Sequence, residues 1–347
     1  MKSEKGKILV TGGLGFIGSH TVVELQNERF DVVIIDDLSN SKIEVLDGIT
    51  SITGIRPEYV QLDLKNKGLV SDFFTNHHID GVIHFAASKA VGESVEKPLK
   101  YYENNIATLV YLLQEMIKNN VSNFIFSSSC TVYGQADELP ITEKAPIKVA
   151  ESPYGNTKQI GEEIIKDTTR IEELQAIVLR YFNPIGAHKS VKIGELPIGV
   201  PQNLIPFVTQ TAAGIRKEIS IFGDDYPTSD GTAVRDYIHV VDLAKAHIAA
   251  LRRLIHGNNK EKIEFFNVGT GKGNSVLEVI KAFEKVTSQK LNYKIVGRRE
   301  GDIVSAYADT TLANKELGWQ AKLTLEDGLF SAWKWQQKQS QKVKVER

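Results

Sequence analysis

Apolar residues in the first half of the chain come in short runs, each followed by a longer stretch of mixed polarity. The runs are Lys7 to Thr11, Asp31 to Ile35, Tyr59 to Leu62, Gly81 to Phe85, Asn123 to Ser127 and Ala176 to Leu179. Runs this short and this rich in Val, Ile and Phe predict strands, whereas the intervening stretches, starting with Phe16 to Asn27, carry helical spacing. Buried strands separated by helices need right-handed crossovers, so the pattern predicts an α/β fold with a doubly wound parallel sheet of the Rossmann type. Ligands of such sheets gather at the carboxyl ends of the strands. From Asn183 the texture changes. Pro184, Pro197, Pro201, Pro206 and Pro227 are spaced by glycines, which predicts a smaller, loop-rich, mixed α/β domain. The expected division is residues 1–183 and 184–347, with segments near 238–269 (Ile238 to Val241 and Phe265 to Gly269) returning to the first sheet. The Gln- and Lys-rich tail from Gln336 to Arg347 lacks apolar periodicity and is expected to fray.

Composition narrows the partners. The 347 residues exceed one hydrophobic core, and two domains leave a cleft between them. The 42 basic and 43 acidic residues are interspersed, with a formal net charge of -1. That distribution gives no footprint for nucleic acid or an anionic membrane, so a small-molecule partner is expected. The single Cys130 excludes an internal disulfide, and Met1-Lys2-Ser3-Glu4-Lys5 has no apolar signal region. With no run near the ~20 apolar residues of a membrane span, a cytoplasmic protein is expected. The eight histidines show no metal-ligand spacing, and no metal is expected.

Two constellations carry chemistry. Gly12, Gly15 and Gly18 follow the first strand in Thr11-Gly12-Gly13-Leu14-Gly15-Phe16-Ile17-Gly18 and open the first helix. Such spacing tightens the turn and brings backbone N–H groups up to a pyrophosphate. Asp36 ends the second strand, where a carboxylate accepts from a ribose diol and repels a 2′-phosphate; NAD is therefore expected rather than NADP. The plainer alternative is that Asp36 and Asp37 begin a solvated turn. Asp63, after the third run, is a weaker candidate for the adenine region, with a turn-cap role nearly as apt. The second constellation is Ser129 at a strand end and Tyr154 four residues before Lys158, behind Ser152 and Pro153 that open a helix. A phenol titrates near ~10, and an ammonium on the same helix face favours phenolate. Tyrosine and lysine four apart often make only a surface contact; the dinucleotide signature and Ser129 turn the pair into a proton-transfer site. Cys130 has no histidine in a Cys-His setting and reads as a small core residue.

These motifs resemble the extended short-chain dehydrogenase/reductase superfamily. Within it, nearly the whole chain resembles the UDP-glucose 4-epimerase family. The resemblance is carried by Phe85-Ala86-Ala87-Ser88-Lys89-Ala90-Val91-Gly92-Glu93-Ser94, Ser127-Ser128-Ser129-Cys130-Thr131-Val132-Tyr133-Gly134, Tyr181-Phe182-Asn183-Pro184, Val234-Arg235-Asp236-Tyr237-Ile238-His239-Val240 and Arg298-Arg299-Glu300-Gly301-Asp302. It implies a 1–183 NAD-binding domain and a 184–347 UDP-sugar-binding domain. The implied cofactor wall is Gly12, Gly15, Phe16, Ile17, Gly18, Asp36, Asp37, Leu38, Ser39, Asn40, Ser41, Asp63, Leu64, Phe85, Ala86, Ala87, Ser88, Lys89, Asn104 and Phe182, with Ser129, Tyr154 and Lys158 catalytic. The implied sugar-nucleotide contacts are Lys89, Ser129, Tyr154, Asn183, Asn203, Leu204, Ser220, Phe222, Arg235, Tyr237, Arg299, Asp302 and Ala306. The implied reaction interconverts UDP-galactose and UDP-glucose through C4 oxidation with bound NAD, rotation of the 4-keto sugar and hydride return.

Two departures stand out. Ala87 and Ser88 replace the family's usual Gly-Leu, and Ala306 replaces a bulky tyrosine, which implies room for UDP-N-acetylglucosamine and UDP-N-acetylgalactosamine. A small residue packed by Tyr307 without consequence for selectivity is the alternative. Two rival functions share the fold. A sugar-nucleotide 4,6-dehydratase or decarboxylase would need acid–base groups that Ser129-Cys130-Thr131 does not offer, and a silent NAD sensor would not need an intact Ser129, Tyr154 and Lys158. The family's dimers imply pairing of the helix around Tyr101 to Asn119 with the one carrying Tyr154 across a two-fold axis.

Overall fold

The computed structural model describes residues 6–299 and 301–345. The expectations for Met1 to Lys5, for Glu300 and for the last two residues fall outside them. The first half alternates strand and helix: β1 Lys7–Thr11, α1 Phe16–Asn27, β2 Asp31–Asp36, α2 Val45–Thr53, β3 Glu58–Gln61, α3 Lys67–Asn76 and β4 Gly81–His84. Two short helices, α4 Val91–Glu96 and α5 Pro98–Tyr102, lead through a π-helical turn at Glu103–Ala107 into α6 Thr108–Lys118. Then come β5 Asn123–Ser129, α7 Pro153–Ile171, β6 Gln175–Tyr181 and β7 Asn183–Ile185. The remainder comprises α8 Leu204–Ala212, β8 Ile219–Phe222, β9 Val234–Arg235, β10 Tyr237–His239, α9 Val240–Ile255, β11 Ile263–Val268, β12 Asn274–Ser275, α10 Val276–Thr287, β13 Tyr293–Val296, β14 Ser305–Ala306, α11 Thr311–Glu316 and α12 Leu325–Val345.

Seven parallel strands form the central sheet in the order β3-β2-β1-β4-β5-β6-β11. Alternate residues of each strand feed opposite layers, as the pleat requires. Ile8, Val10, Val32, Ile34, Ile125, Ile177 and Leu179 pack in one layer, and Leu9, Val33, Ile35, Phe124, Phe126, Ala176 and Val178 in the other. The strand order reverses between β1 and β4, which opens a crevice at their carboxyl ends.

Chain beyond residue 183 contributes to this layer: β11 pairs with β6, and α9 packs its Leu243, Ala246 and Ala250 into the same core as α1. The expectation for Ile238 to Val241 is corrected. Tyr237–His239 pairs with Asn183–Ile185 in a separate two-stranded sheet, because the edge of the central sheet beyond β6 is taken by β11. The tail is a helix end: α12 continues to Val345, Gln336 and Ser340 bond one turn apart, and Lys338 Nζ donates to the Val191 carbonyl.

Four histidines are at most 4% exposed, and burial lowers His20 and His84 to about 3 and His239 and His247 to about 4. In the unfolded chain they take protons near 6.5. Their contribution is therefore intact above pH 6.5 and is lost as pH falls toward 4, because only the unfolded state binds protons in that window. The thermal midpoint is expected to drop between pH 7 and pH 5, with each histidine costing about 2 kcal/mol at pH 5. His247→Phe, beside Phe85 and Tyr181, is expected to flatten the slope; a midpoint independent of pH in this range refutes the assignment.

Candidate active site

The loop between β1 and α1 is shaped by close backbone approach. Gly12 has φ +68°, and a Cβ there would stand 2.8 Å from the Ala86 nitrogen, on the segment that follows β4. A Cβ on Gly18 would run into the Gly12 carbonyl. No side chain caps α1 and no acidic residue lies in its first turn, so its N-terminal N–H groups face the crevice as anion donors. These features fit a dinucleotide pyrophosphate. Asp36, 7% exposed, accepts from Leu14 N (3.0 Å) across the loop, and from Leu38 N (3.0 Å) and the Ser41 hydroxyl (2.6 Å). Desolvation raises its carboxyl above the ordinary aspartate range, while these bonds oppose the shift. Leu38 has φ +63°, bending the chain through Asp37, Ser39 and Asn40, with Ser39 folded onto the Asp37 carboxylate. Asp63 caps its own turn by accepting from Lys65 N at 2.9 Å and lies within 3.6 Å of the Lys65 ammonium.

The segment after β4 is docked on the π-helical turn. Asn105 accepts from Ser88 N (2.8 Å) and donates to the Ser88 carbonyl and the Thr157 hydroxyl (both 3.0 Å), and Asn104 donates to the Ser88 hydroxyl at 3.2 Å. Ser88, one of the two departures, thus joins the Phe85–Ala87 wall to the helix that carries Tyr154. Asn105 and Thr157 have no motif to announce them; their roles appear only when residues far apart in sequence meet.

Ser129 ends β5, and its oxygen accepts from Thr131 N at 3.2 Å. Ser152 caps α7 by accepting from Gly155 N at 3.1 Å, and Pro153 occupies the first turn. Tyr154 therefore sits at the positive end of a 19-residue helix, close enough to Ser129 for that hydroxyl to favour its phenolate. Lys158 is 5% exposed; its Nζ donates to the Ser127 carbonyl at 2.7 Å, 5.0 Å from the Phe126 ring centroid and 5.8 Å from that of Tyr154. Burial pushes the Tyr154 phenol up to about 12, against the Ser129 hydroxyl, and lowers Lys158 to about 8, against the attraction of Glu162. Cys130 is half-buried and its thiol is pushed up to about 12 by desolvation, which removes it as a nucleophile.

The second wall comes from the later half. Arg235 on β9 and Arg299 both face Asp302, at 3.6 and 2.8 Å, and the Arg299 guanidinium lies 5.4 Å from the Phe222 ring centroid. Phe222 ends β8, which also carries Ser220, and is 41% exposed. Asn183 opens β7, its N–H donating to the Asp236 carbonyl, and Tyr237 opens β10 beside it. Asn203 precedes Leu204 at the start of α8. Its amide donates to Glu195 (2.9 Å), which also lies 3.4 Å from the Lys89 ammonium, so one carboxylate bridges the two walls. Glu195 was missed in sequence because its loop matches no motif. Ala306 on β14 is 1% exposed, lies in register with Arg235 and packs with Val132 and Phe182 behind the Ser129 turn.

A family model described as GDP-mannose 4,6 dehydratase matches residues 9–331. A UDP-glucose 4-epimerase of Haemophilus influenzae is 49% identical over 330 residues, covering 95% of this chain and 97% of that protein. The chain belongs to the UDP-glucose 4-epimerase family. It belongs equally to the family of the dehydratase model, within the extended short-chain dehydrogenases/reductases. A UDP-glucose-4-epimerase from Stenotrophomonas maltophila, solved with NAD and formylated UDP-arabinopyranose, superposes with a TM-score of 0.93 at 47% identity, covering 97% of this chain and 99% of the other. The enzyme from Bifidobacterium longum, solved with NAD+ and UDP, gives 0.92 at 48% identity over 96% and 98% of the two chains. Gly18→Ala, which places a methyl against the Gly12 carbonyl, is expected to strip most of the dinucleotide from the purified epimerase. Release by denaturation and quantification checks this; parental occupancy refutes the close-approach argument.

Proposed function

We propose that the chain is an NAD-dependent isomerase that interconverts UDP-galactose and UDP-glucose, with Ser129, Tyr154 and Lys158 as its catalytic residues. The observation that carries this reading is Tyr154 at the start of α7, beside Ser129 and with the buried Lys158 ammonium 5.8 Å from its ring centroid, at the carboxyl ends of strands whose first loop is a dinucleotide cradle. Gly12, Gly15, Gly18 and Asp36 would hold NAD, which supplies the hydride acceptor and returns the same hydride. Tyr154 takes the C4 hydroxyl proton, drawn toward phenolate by Lys158 and the α7 N-terminus. Ser129 donates to the reacting oxygen and fixes its distance from Tyr154. Arg235, Arg299 and Asn203 grip the UDP portion, guanidinium forks matching phosphate oxygens, while the hexose is left free to turn its other face. Configuration at C4 inverts without net redox, so NAD stays bound between turnovers.

A dehydratase would need an acid and a base beside Ser129, where this chain has a neutral Cys130 thiol and Thr131. Ala306 extends the proposal to the N-acetylated pair: a methyl, rather than a bulky ring, packs with Val132 and Phe182 behind the Ser129 turn. The assembly is read as a cytoplasmic homodimer, supported by the exposed Val95 and Leu99 on α4 and α5, which pack beside α7.

Proton NMR of the purified protein with UDP-galactose and UDP-N-acetylgalactosamine, with no cofactor added, is expected to show both gluco epimers; no conversion, with or without NAD, sinks the reading. Tyr154→Phe is expected to lower kcat by about 10²- to 10⁴-fold with NAD still bound, and retained turnover rejects Tyr154 as proton acceptor. Ala306→Tyr is expected to abolish N-acetylhexosamine conversion and spare galactose, and equal loss of both ends the pocket argument.

A further inference from the structure

One turn beyond Lys158 lies a buried ion pair that the chemistry above does not use. Glu162 and Arg180 side chains are 8% and 6% exposed. The carboxylate accepts from Arg180 Nε at 2.9 Å and Nη2 at 2.6 Å, and its Oε1 also accepts from the Ser128 hydroxyl at 2.6 Å. The guanidinium is sandwiched between the Tyr133 and Phe265 rings, with centroids 5.0 and 4.7 Å away. Its Nη1 donates to the Tyr133 oxygen at 3.0 Å, and that hydroxyl donates to Asn267 Oδ1 at 2.7 Å. The network therefore fastens α7, which carries Tyr154 and Lys158, to the residue before Ser129 and to strands β6 and β11. Burying two ions is costly, and apolar side chains would pack this space at least as well. A function in the neighbouring site accounts for charge here.

We propose that Glu162 and Arg180 are positioning residues for the proton transfer: the arginine clamp holds the Glu162 carboxylate in its own ion pair behind Lys158 and offsets part of its pull, so the Lys158 ammonium stays on the Ser127 carbonyl and its charge acts on Tyr154. The inference rests on the epimerase reading of Tyr154. The other titratable groups facing Tyr154 and Lys158 are His84 on β4, Cys130 after β5, Tyr101 on α5 and Tyr181 on β6, with Tyr133 and Glu143 beside Arg180. Burial keeps His84 deprotonated down to about 3 and raises the Cys130, Tyr101, Tyr133 and Tyr181 hydroxyl or thiol groups, so none of these changes charge near neutrality. Burial also raises the Glu143 carboxyl, which accepts from Asn267 N.

The test compares the NAD-loaded parent with Arg180→Met, Glu162→Gln and the double variant. Two readouts are taken: the pH dependence of kcat with UDP-galactose, and the phenolate absorbance titration of each holoprotein against the same background carrying Tyr154→Phe. Arg180→Met leaves a bare carboxylate near Lys158 and is expected to move the Tyr154 titration and the acid limb up by about one pH unit. Glu162→Gln leaves a bare guanidinium and is expected to move both down by about one unit. The double variant is expected to return to within about 0.3 units of the parent, because the two effects cancel through one site. Shifts in the same direction, or none in folded single variants, overturn the proposal. Should a single variant fail to fold, the double variant and Arg180→Lys decide. Parental titration in both supports the proposal, and a displacement of a unit or more in either overturns it. A parent that titrates but does not epimerise overturns the epimerase reading instead, and the absorbance shifts still judge the charge network.

Discussion

An ammonium enclosed by protein must find acceptors on the spot, and Lys158 meets that demand with a strand carbonyl rather than a carboxylate. Its bond to the Ser127 oxygen at 2.7 Å ties α7 to β5 two residues before Ser129. That distance along the strand matters because Ser127, Ser128 and Ser129 are held in register with Leu179, Arg180 and Tyr181 of β6. The tyrosine opposite Ser129 reaches back to the Ser127 hydroxyl, and the arginine opposite Ser128 reaches Glu162 on α7. Sheet register and helix position are thus one constraint, and the placement of Ser129 beside Tyr154 is what it delivers. Because the lysine keeps no anionic partner of its own in contact, its positive charge remains available to the phenol.

The dinucleotide side is governed by a different constraint, the minimum distance between backbones. Glycine at positions 12 and 18 is required because any Cβ would collide with Ala86 or with the Gly12 carbonyl, and those contacts bring the β1 loop against the β4 loop at the point where strand order reverses. Asp36 then serves the fold as well as the proposed ribose contact, since it accepts from Leu14 N in the glycine loop and from Leu38 N in its own. A carboxylate already holding both loops is pre-positioned, at no further ordering cost when a diol arrives.

Legibility in the sequence followed the physics of burial. The six strands expected from apolar runs appear with ends within about two residues; five of them are buried on both faces and leave no polar alternation to blur them, whereas β3, at the sheet edge, is half-buried to exposed. The glycine spacing and the Tyr154–Lys158 pair were equally visible, since both depend on neighbours along the chain. What escaped depends on contacts across it. The π-helical turn that aims Asn104 and Asn105 at Ser88 looks like ordinary helix in sequence, and Glu195 meets Lys89 and Asn203 only after the chain has closed the cleft. The separate β7–β10 pair was misplaced for a related reason: a short apolar strand is legible, whereas its partner is decided by which sheet edge remains free.

The substrate wall shows why a sugar nucleotide, rather than a free sugar, suits the site. Arg235 and Arg299 converge on a single Asp302, so two guanidinium charges share one carboxylate and the patch retains net positive charge. A diphosphate with two anionic groups completes that balance, and Phe222 beside Arg299 offers a face for a flat base. The proposed nucleotide contacts lie on β8, β9 and the loop between β13 and β14, while the proposed catalytic hydroxyls sit at the end of β5 and the start of α7. Binding energy collected at the nucleotide is therefore separated in space from the carbon that reacts. A ligand anchored at one end and loosely held at the other can present either face to a fixed proton acceptor, and inversion needs the acceptor to stay still while the sugar moves. A rigid register beneath Tyr154 and a sparse grip on the hexose are in this sense complementary requirements of the proposed reaction.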